Sequence, residues 1–376
     1  MKPKFGTLEK KLNGIKKNNL LRTLQNSRIE KQFIIINRKN LLNFSSNDYL
    51  GLQPGVLKYS QFQSSSRLVS GNDTSFSALE KKLSKHKSKE KTIIYPTGYM
   101  ANLGVISALA GKNDTIFSDE LNHASIVEAS KLSGSKIKIF KHNDMHDLEK
   151  KIQSTSGRKF LVTEGVFSMD GDWSKLNEIV EISEKKGIIT ILDDAHGDFV
   201  FGKDGKGTGE FFNIQKKIDV YISSLSKGLG SFGGYASGRK ELIDLCINTS
   251  KTFIYTSALP TSINQYSLER FNSKREPRRK RLWEKINKFH HMLNEIELST
   301  TSTSQIIPII IGNEKKAVEI SKFLMKEGIF AQAIRYPTVK KNQARIRISI
   351  SDWLSKKEID LSIDILEKAK RKFNLK

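Results

Sequence analysis

Val220-Tyr-Ile-Ser-Ser-Leu-Ser-Lys227-Gly-Leu-Gly230 runs from an apolar stretch into hydroxyls, one lysine and two glycines. A buried strand over 220–223 that opens into such a loop presents hydroxyls and free backbone N–H groups, which suit a phosphate. A lysine at that spot can form a Schiff base with an aldehyde. The competing reading is a phosphate loop of another kind. Nothing in the chain matches G-x-x-x-x-G-K-[ST], however, and no G-x-G-x-x-G run opens a helix after a strand.

Upstream of this stretch, from Thr74 onward, helical and strand patterns alternate. Strands are expected over 92–95, 115–118, 136–140, 160–163 and 188–192. Helices are expected over 77–86, 99–109, 124–132, 145–152 and 175–185. Such alternation predicts helices covering a mostly parallel sheet. Before it, Leu8, Leu12, Ile15 and Leu20 recur at helical spacing in a basic segment of about 25 residues, and apolar runs follow at 33–36 and 41–44. Downstream, the charged run Ser273-Lys-Arg-Glu-Pro-Arg-Arg-Lys-Arg281 lies in a long helical pattern. Beyond it, strands at 305–311, 330–334 and 345–350 and helices at 315–326 and 357–371 predict a small α/β domain with an antiparallel sheet.

With 376 residues and one cysteine, Cys246, the chain suits two packed domains and has no intramolecular disulfide framework. No apolar run approaches the roughly 20 residues of a membrane span, and Met1–Phe5 lack the apolar stretch of a signal peptide; a cytoplasmic enzyme is the expectation. The net charge of +24 could attract nucleic acid or an acidic partner. The lysines are spread along the chain, which favours solvated helix faces instead. A thioester carried on coenzyme A or on an acidic carrier protein would also suit a basic entrance.

Other strand ends carry polar groups, and in open α/β sheets ligands bind beyond the carboxyl ends of the strands. Ile191-Leu-Asp193-Asp-Ala-His196-Gly197 ends a strand in acids, with a histidine three residues past the first. Tyr95-Pro-Thr97-Gly98-Tyr99-Met-Ala-Asn102 takes a strand into a helix N-terminus, where an anion is favoured. Ser118-Asp-Glu-Leu-Asn122-His123 places a histidine at a helix start, and Thr163-Glu164-Gly-Val-Phe-Ser168-Met-Asp170-Gly171 ends another strand. Each feature alone is as well explained by a turn, a cap or a packing histidine. Together they describe a site for pyridoxal phosphate (PLP): a lysine for the aldehyde, an acid for the ring nitrogen, a stacking imidazole and phosphate donors.

These residues, with Asn43-Phe-Ser-Ser-Asn47-Asp-Tyr49-Leu-Gly51-Leu, His142-Asn-Asp144 and Ala333-Ile-Arg-Tyr-Pro-Thr338 leading to Ala344-Arg-Ile-Arg347, resemble the α-oxoamine synthases. That family comprises fold-type-I PLP enzymes that condense an amino acid with an acyl thioester and release carbon dioxide. The motifs are most similar to members that use L-alanine and a pimeloyl thioester; other members of the family are the alternative. The resemblance implies a large PLP-binding domain (46–275) with a mostly parallel seven-stranded sheet between helices, after an N-terminal segment (1–45) and before a small C-terminal α/β domain (276–376). It implies that Lys227 holds PLP and moves protons at the substrate α-carbon, that Asp193 pairs with the ring nitrogen, that His196 bonds the phenolic oxygen and that His123 stacks on the ring. Gly98, Tyr99 and Ser224 would hold the phosphate, Thr256 or Ser257 would reach the phosphate of a second subunit in a homodimer, and Ser168 would support the oxygen side. Arg347 would take the amino-acid carboxylate, with Asn47 and Arg22 near the substrate. No metal, membrane or nucleic acid is implied. Two stretches depart from the family: Gln61-Phe-Gln-Ser-Ser-Ser66 stands where glycines are usual, and Gly197-Asp198-Phe199 puts a bulky ring where a glycine often follows.

Overall fold

The computed structural model describes residues 6–53, 55, 65–153, 155 and 157–375. Most of the Gln61–Ser66 departure therefore lies outside the described residues. The chain divides into two compact units: Asn47–Ser168 with Asp172–Lys280, and Met1–Ser46 with Met169–Gly171 and Arg281–Lys376.

The larger unit is built on a seven-stranded sheet. Its strands are β1 (Lys91–Tyr95), β2 (Thr115–Asp119), β3 (Lys136–Phe140), β4 (Lys159–Glu164), β5 (Ile189–Asp193), β6 (Val220–Ser224) and β7 (Gly234–Gly238). Their spatial order is β1-β7-β6-β5-β4-β2-β3. Every pairing is parallel except those of β7, which runs antiparallel to both β1 and β6. The interior parallel strands are almost wholly buried, as a sheet covered on both faces requires, whereas the edge strand β3 exposes Lys136 and Ile139. Strand order reverses at β2, which lies between β4 and β3, so the topological switch point, where such sheets bind ligands, falls at the carboxyl ends of β2 and β4.

Six of these strands are legible in the hydrophobic pattern; β7, Gly-Tyr-Ala-Ser-Gly, is not. Its small residues have a packing reason: a Cβ on Gly234 would sit 2.5 Å from the backbone nitrogen of Gly98. Helix α1 (Thr74–Lys87) is capped by Asp73, whose side chain accepts from Ser75 N. Helix α2 (Gly98–Leu109) is capped by Thr97, which accepts from Met100 N. Helix α3 (Ala124–Leu132) begins at His123.

The smaller unit carries two sheets. Ile306–Gly312, Ala344–Ser349 and Gln332–Ile334 form an antiparallel three-stranded sheet. A second sheet joins Ser27–Glu30, Phe33–Ile36 and Lys39–Asn43 to Ile329–Phe330, the last pairing being parallel. The N-terminal helix spans only Gly6–Lys17 and buries none of its residues. The rest of that expected helical segment, residues 18–25, is turn and irregular chain, and the first strand starts only at Ser27. No helix among the described residues is long and apolar enough to cross a membrane.

The basic run near 275 is largely used in packing and carbonyl contacts. In the larger unit Arg275 lies over the Phe271 ring at 4.3 Å, Arg278 donates to Gly51 O at 2.6 Å, and Arg279 donates to Lys203 O. In the smaller unit Arg281 meets Asp352 at 2.6 Å.

Candidate active site

Lys227 follows β6, and the chain reverses behind it: Gly230 N bonds Lys227 O at 2.9 Å and Gly230 sits at φ +62°, which favours glycine. The Lys227 amine lies 2.8 Å from His196 Nε2. His196 belongs to a helical turn that starts where β5 ends, with Gly197 N and Asp198 N both bonding Asp194 O. The loop and the turn pack back to back at Gly228, where a Cβ would lie 2.5 Å from Asp198 O.

Asp193 is buried, and both its oxygens are held: Oδ1 accepts from Ala195 N at 3.0 Å and Oδ2 from Asn102 Nδ2 at 2.6 Å. Asn102 also donates to Ser125 Oγ at 2.9 Å, and Ser125 Oγ lies 2.7 Å from His123 Nδ1. Since Ser125 N also donates to His123 Nδ1, the proton of the neutral ring sits on Nε2. Desolvation holds His123 below its usual pKa, repulsion from Lys227 adds to this, and Asp193 opposes it. A neutral imidazole is thus presented beside Asp193.

Beneath His123, Glu164 Oε1 accepts from His123 N at 2.6 Å. Burial first, and then the neighbouring Asp193 charge, push the Glu164 carboxyl well above its usual range; Glu164 and Asp193 are register partners on β4 and β5. The backbone N–H of Ser168 also reaches Glu164, and Ser168 itself is buried.

At the start of α2, Gly98 lies directly against Ser224: a Cβ on Gly98 would lie 3.1 Å from that of Ser224. The first N–H groups of a helix lack intrahelical partners and point outward, so Gly98 and Tyr99 offer donors beside the Ser224 hydroxyl. That hydroxyl is 2.8 Å from Ser226 Oγ. Thr256 and Ser257 line a small cleft with Tyr95 and Pro96. Arg22 and Arg347 lie in the smaller unit. Arg347, buried on Ala344–Ser349, bonds Ser349 Oγ at 2.8 Å, and exposed Arg22 bonds Tyr336 O at 3.3 Å.

The residues fit pyridoxal phosphate. A fixed carboxylate, a neutral imidazole, an amine and a helix start with hydroxyls gather at the ends of neighbouring strands, and the buried Asn102 Oδ1 has no hydrogen-bond partner.

The aminotransferase class I and II model matches residues 39–365. The chain belongs to that family. Within it, the chain is 39% identical over 357 residues to the 8-amino-7-oxononanoate synthase of Thermoanaerobacter pseudethanolicus, covering 91% of this chain and 90% of that one. The serine palmitoyltransferase of Sphingomonas wittichii superposes with a TM-score of 0.91 at 26% identity, covering 99% and 98% of the two chains. The 8-amino-7-oxononanoate synthase of Francisella tularensis superposes with a TM-score of 0.76 at 27% identity, covering 89% and 99%. Class I and II aminotransferase architecture accounts for the sheet and for the position of the site at its carboxyl edge.

Several residues of this family member's site escape sequence reading. Asn102 shares a helix face with Gly98, four residues earlier, but only the fold turns that face towards Asp193. Lys87 ends α1 as one lysine among many. In the fold it is fully buried, 3.0 Å from Asp194 and 2.8 Å from Asp198. Asp198 also takes hydrogen bonds from His86 at 2.9 Å, Ser223 at 2.9 Å and Tyr235. Phe199 is buried at φ +65°, a strained conformation for a bulky residue. Its ring stacks on His86 at 4.6 Å and meets Phe271 edge-on, so the departure at 199 is taken up by packing.

His142 bridges Asp119 Oδ1 at 2.9 Å and Asp172 Oδ2 at 2.7 Å. Desolvation pulls its pKa down, but the two carboxylates outweigh that and raise it from 6.5 to about 10. A histidine raised in the folded state stabilises fully below its unfolded pKa and loses that contribution as pH rises through the folded value. His142→Ala is therefore expected to cost about 2–3 kcal/mol at pH 6 and progressively less towards pH 10 in denaturant titrations. An equal loss at both pH values would contradict the bridge.

Proposed function

We propose that the chain catalyses the decarboxylative condensation of L-alanine with a pimeloyl thioester to give 8-amino-7-oxononanoate. The observation that carries this reading is the Lys227 amine set 2.8 Å from His196, on the turn that also bears the anchored Asp193. The curated relatives named for that product, at 34–39% identity, support the choice of substrates.

Pyridoxal phosphate, when bound, supplies an aldehyde that captures amines and a ring that delocalises a carbanion. Asp193 pairs with the ring nitrogen and keeps it protonated, a task suited to a carboxylate held on both oxygens. His123 lies against the ring face, and His196 bonds the phenolic oxygen, with Ser168 on the same side. Gly98, Tyr99 and Ser224 bind the phosphate. Lys227 holds the cofactor and then, as a neutral amine, moves the proton at the substrate α-carbon. Arg347 binds the alanine carboxylate, and Asn47 and Arg22 contact substrate. The acyl group arrives on coenzyme A or on an acidic carrier protein, to which the basic surface is complementary.

The working enzyme is a cytoplasmic homodimer in which Thr256 or Ser257 reaches the neighbouring subunit's phosphate. Tyr255 (81% exposed), Val69 (80%) and Leu68 (52%) are exposed apolar side chains of the larger unit that a second subunit would cover. The fold likeness to serine palmitoyltransferase favours one second reading, a sister reaction on another amino acid. Purified protein given PLP, alanine and pimeloyl thioester is expected to release carbon dioxide and the amino-oxo acid. Turnover with serine or glycine but not with alanine would overturn the assignment.

A further inference from the structure

Tyr49 is fully buried, and its hydroxyl touches two groups of the proposed site. It donates to Asn47 Oδ1 at 3.1 Å and lies 2.6 Å from His196 Nδ1. The other ring nitrogen of His196, Nε2, faces Lys227. A phenol has one proton to give. While that proton points to Asn47, Tyr49 can only accept from His196, so the ring must carry its proton on Nδ1. If Asn47 turns to another partner, the phenol is released to donate to Nδ1, and the ring proton moves to Nε2. The hydrogen bond on one nitrogen of a histidine thus decides what the other can do.

We propose that Tyr49 is a positioning residue that couples the Asn47 side chain to the protonation of His196. The inference rests on the reading above, in which Asn47 meets substrate and His196 meets the cofactor's phenolic oxygen. Substrate contact at Asn47 then converts His196 Nε2 from an acceptor into a donor without any movement of the backbone. A tyrosine is needed because phenylalanine fills the same space but carries no proton to redirect. Other charges near the turn stay as they are: Lys87 neutralises Asp194 and Asp198 from beneath, and Asp193 is held by Asn102.

The test separates this coupling from the cofactor reading. Lys227→Ala protein removes the amine that would itself dictate the state of Nε2. In that full-length, cofactor-free background, nitrogen-15 spectra of labelled histidine, with His196 assigned from a His196→Gln spectrum, report its tautomer. The Nδ1–H form is expected with Asn47 present, and the Nε2–H form with Asn47→Ala. With Tyr49→Phe, Asn47→Ala should leave the spectrum unchanged. In the PLP-loaded enzyme with Lys227 intact, the double variant should lose no more kcat than the worse single variant. An Asn47→Ala effect of the same size with Phe at position 49, or kcat losses that multiply, would overturn the proposal. Failure of the cofactor reading shows elsewhere, as borohydride-fixed label on a residue other than Lys227, and the histidine spectra decide the coupling either way.

Discussion

Lys227→Ala is expected to lower turnover by roughly 10³–10⁴-fold or more, because in the proposed function it removes both the group that holds the cofactor and the base at the α-carbon. The fold should survive. Lys227 is only half-buried, in a loop whose turn is closed by backbone bonds and by Gly230, so thermal melting should match that of the parent. Lys227→Arg is expected to be almost as inactive. It keeps a positive charge beside His196 but supplies no amine that can become neutral. Borohydride reduction followed by peptide mapping should label Lys227 in the parent and nothing in either variant. A label on another lysine, or substantial turnover by the arginine variant, would remove Lys227 from its assigned role.

Lys87→Met is expected to have the largest effect on stability. The substitution keeps the length of the side chain but leaves the Asp194 and Asp198 carboxylates together, buried and without their cation. Breaking such a pair from one side costs about 3–5 kcal/mol, seen as an apparent Tm lower by roughly 10 °C. Burial pushes the Asp198 carboxyl up, but Lys87 and His86 outweigh it and hold the acid well below the usual carboxylate range. Burial and then the Asp198 charge raise Asp194, with Lys87 opposing. Without Lys87 both carboxyls move upward, so the variant binds protons that the parent does not. The gap in Tm is therefore expected to narrow as pH falls from 8 to 5. A gap that widened on acidification would mean that the cation was not neutralising these acids. Because Asp194 begins the turn that bears His196, the variant should also hold PLP more weakly, as measured by cofactor release on dilution.

Much of the site could be read before any coordinates. A lysine after one strand, acids after the next and a glycine opening a helix are local features, and local features survive in sequence because each depends on its own few residues. The alternation of periods likewise exposed six of the seven sheet strands. The seventh, Gly234–Gly238, has too few large apolar residues to show a pattern. Its smallness answers to Gly98, more than a hundred residues away. The partners of Asn102, Ser125 and Glu164 were hidden for a related reason: a polar residue on a buried face looks like any other polar residue until the fold supplies its partner.

By itself, the sequence determined the fold class and singled out Lys227, Asp193, His123 and His196 as candidate site residues, because these rest on short-range order along the chain. Only the tertiary structure decided how they are held: Asn102 on Asp193, Tyr49 on His196, and Lys87 beneath the turn that joins them. Those contacts cross from about 90 to nearly 150 residues of chain. Desolvation makes them strong, and desolvation exists only once the chain has folded around them.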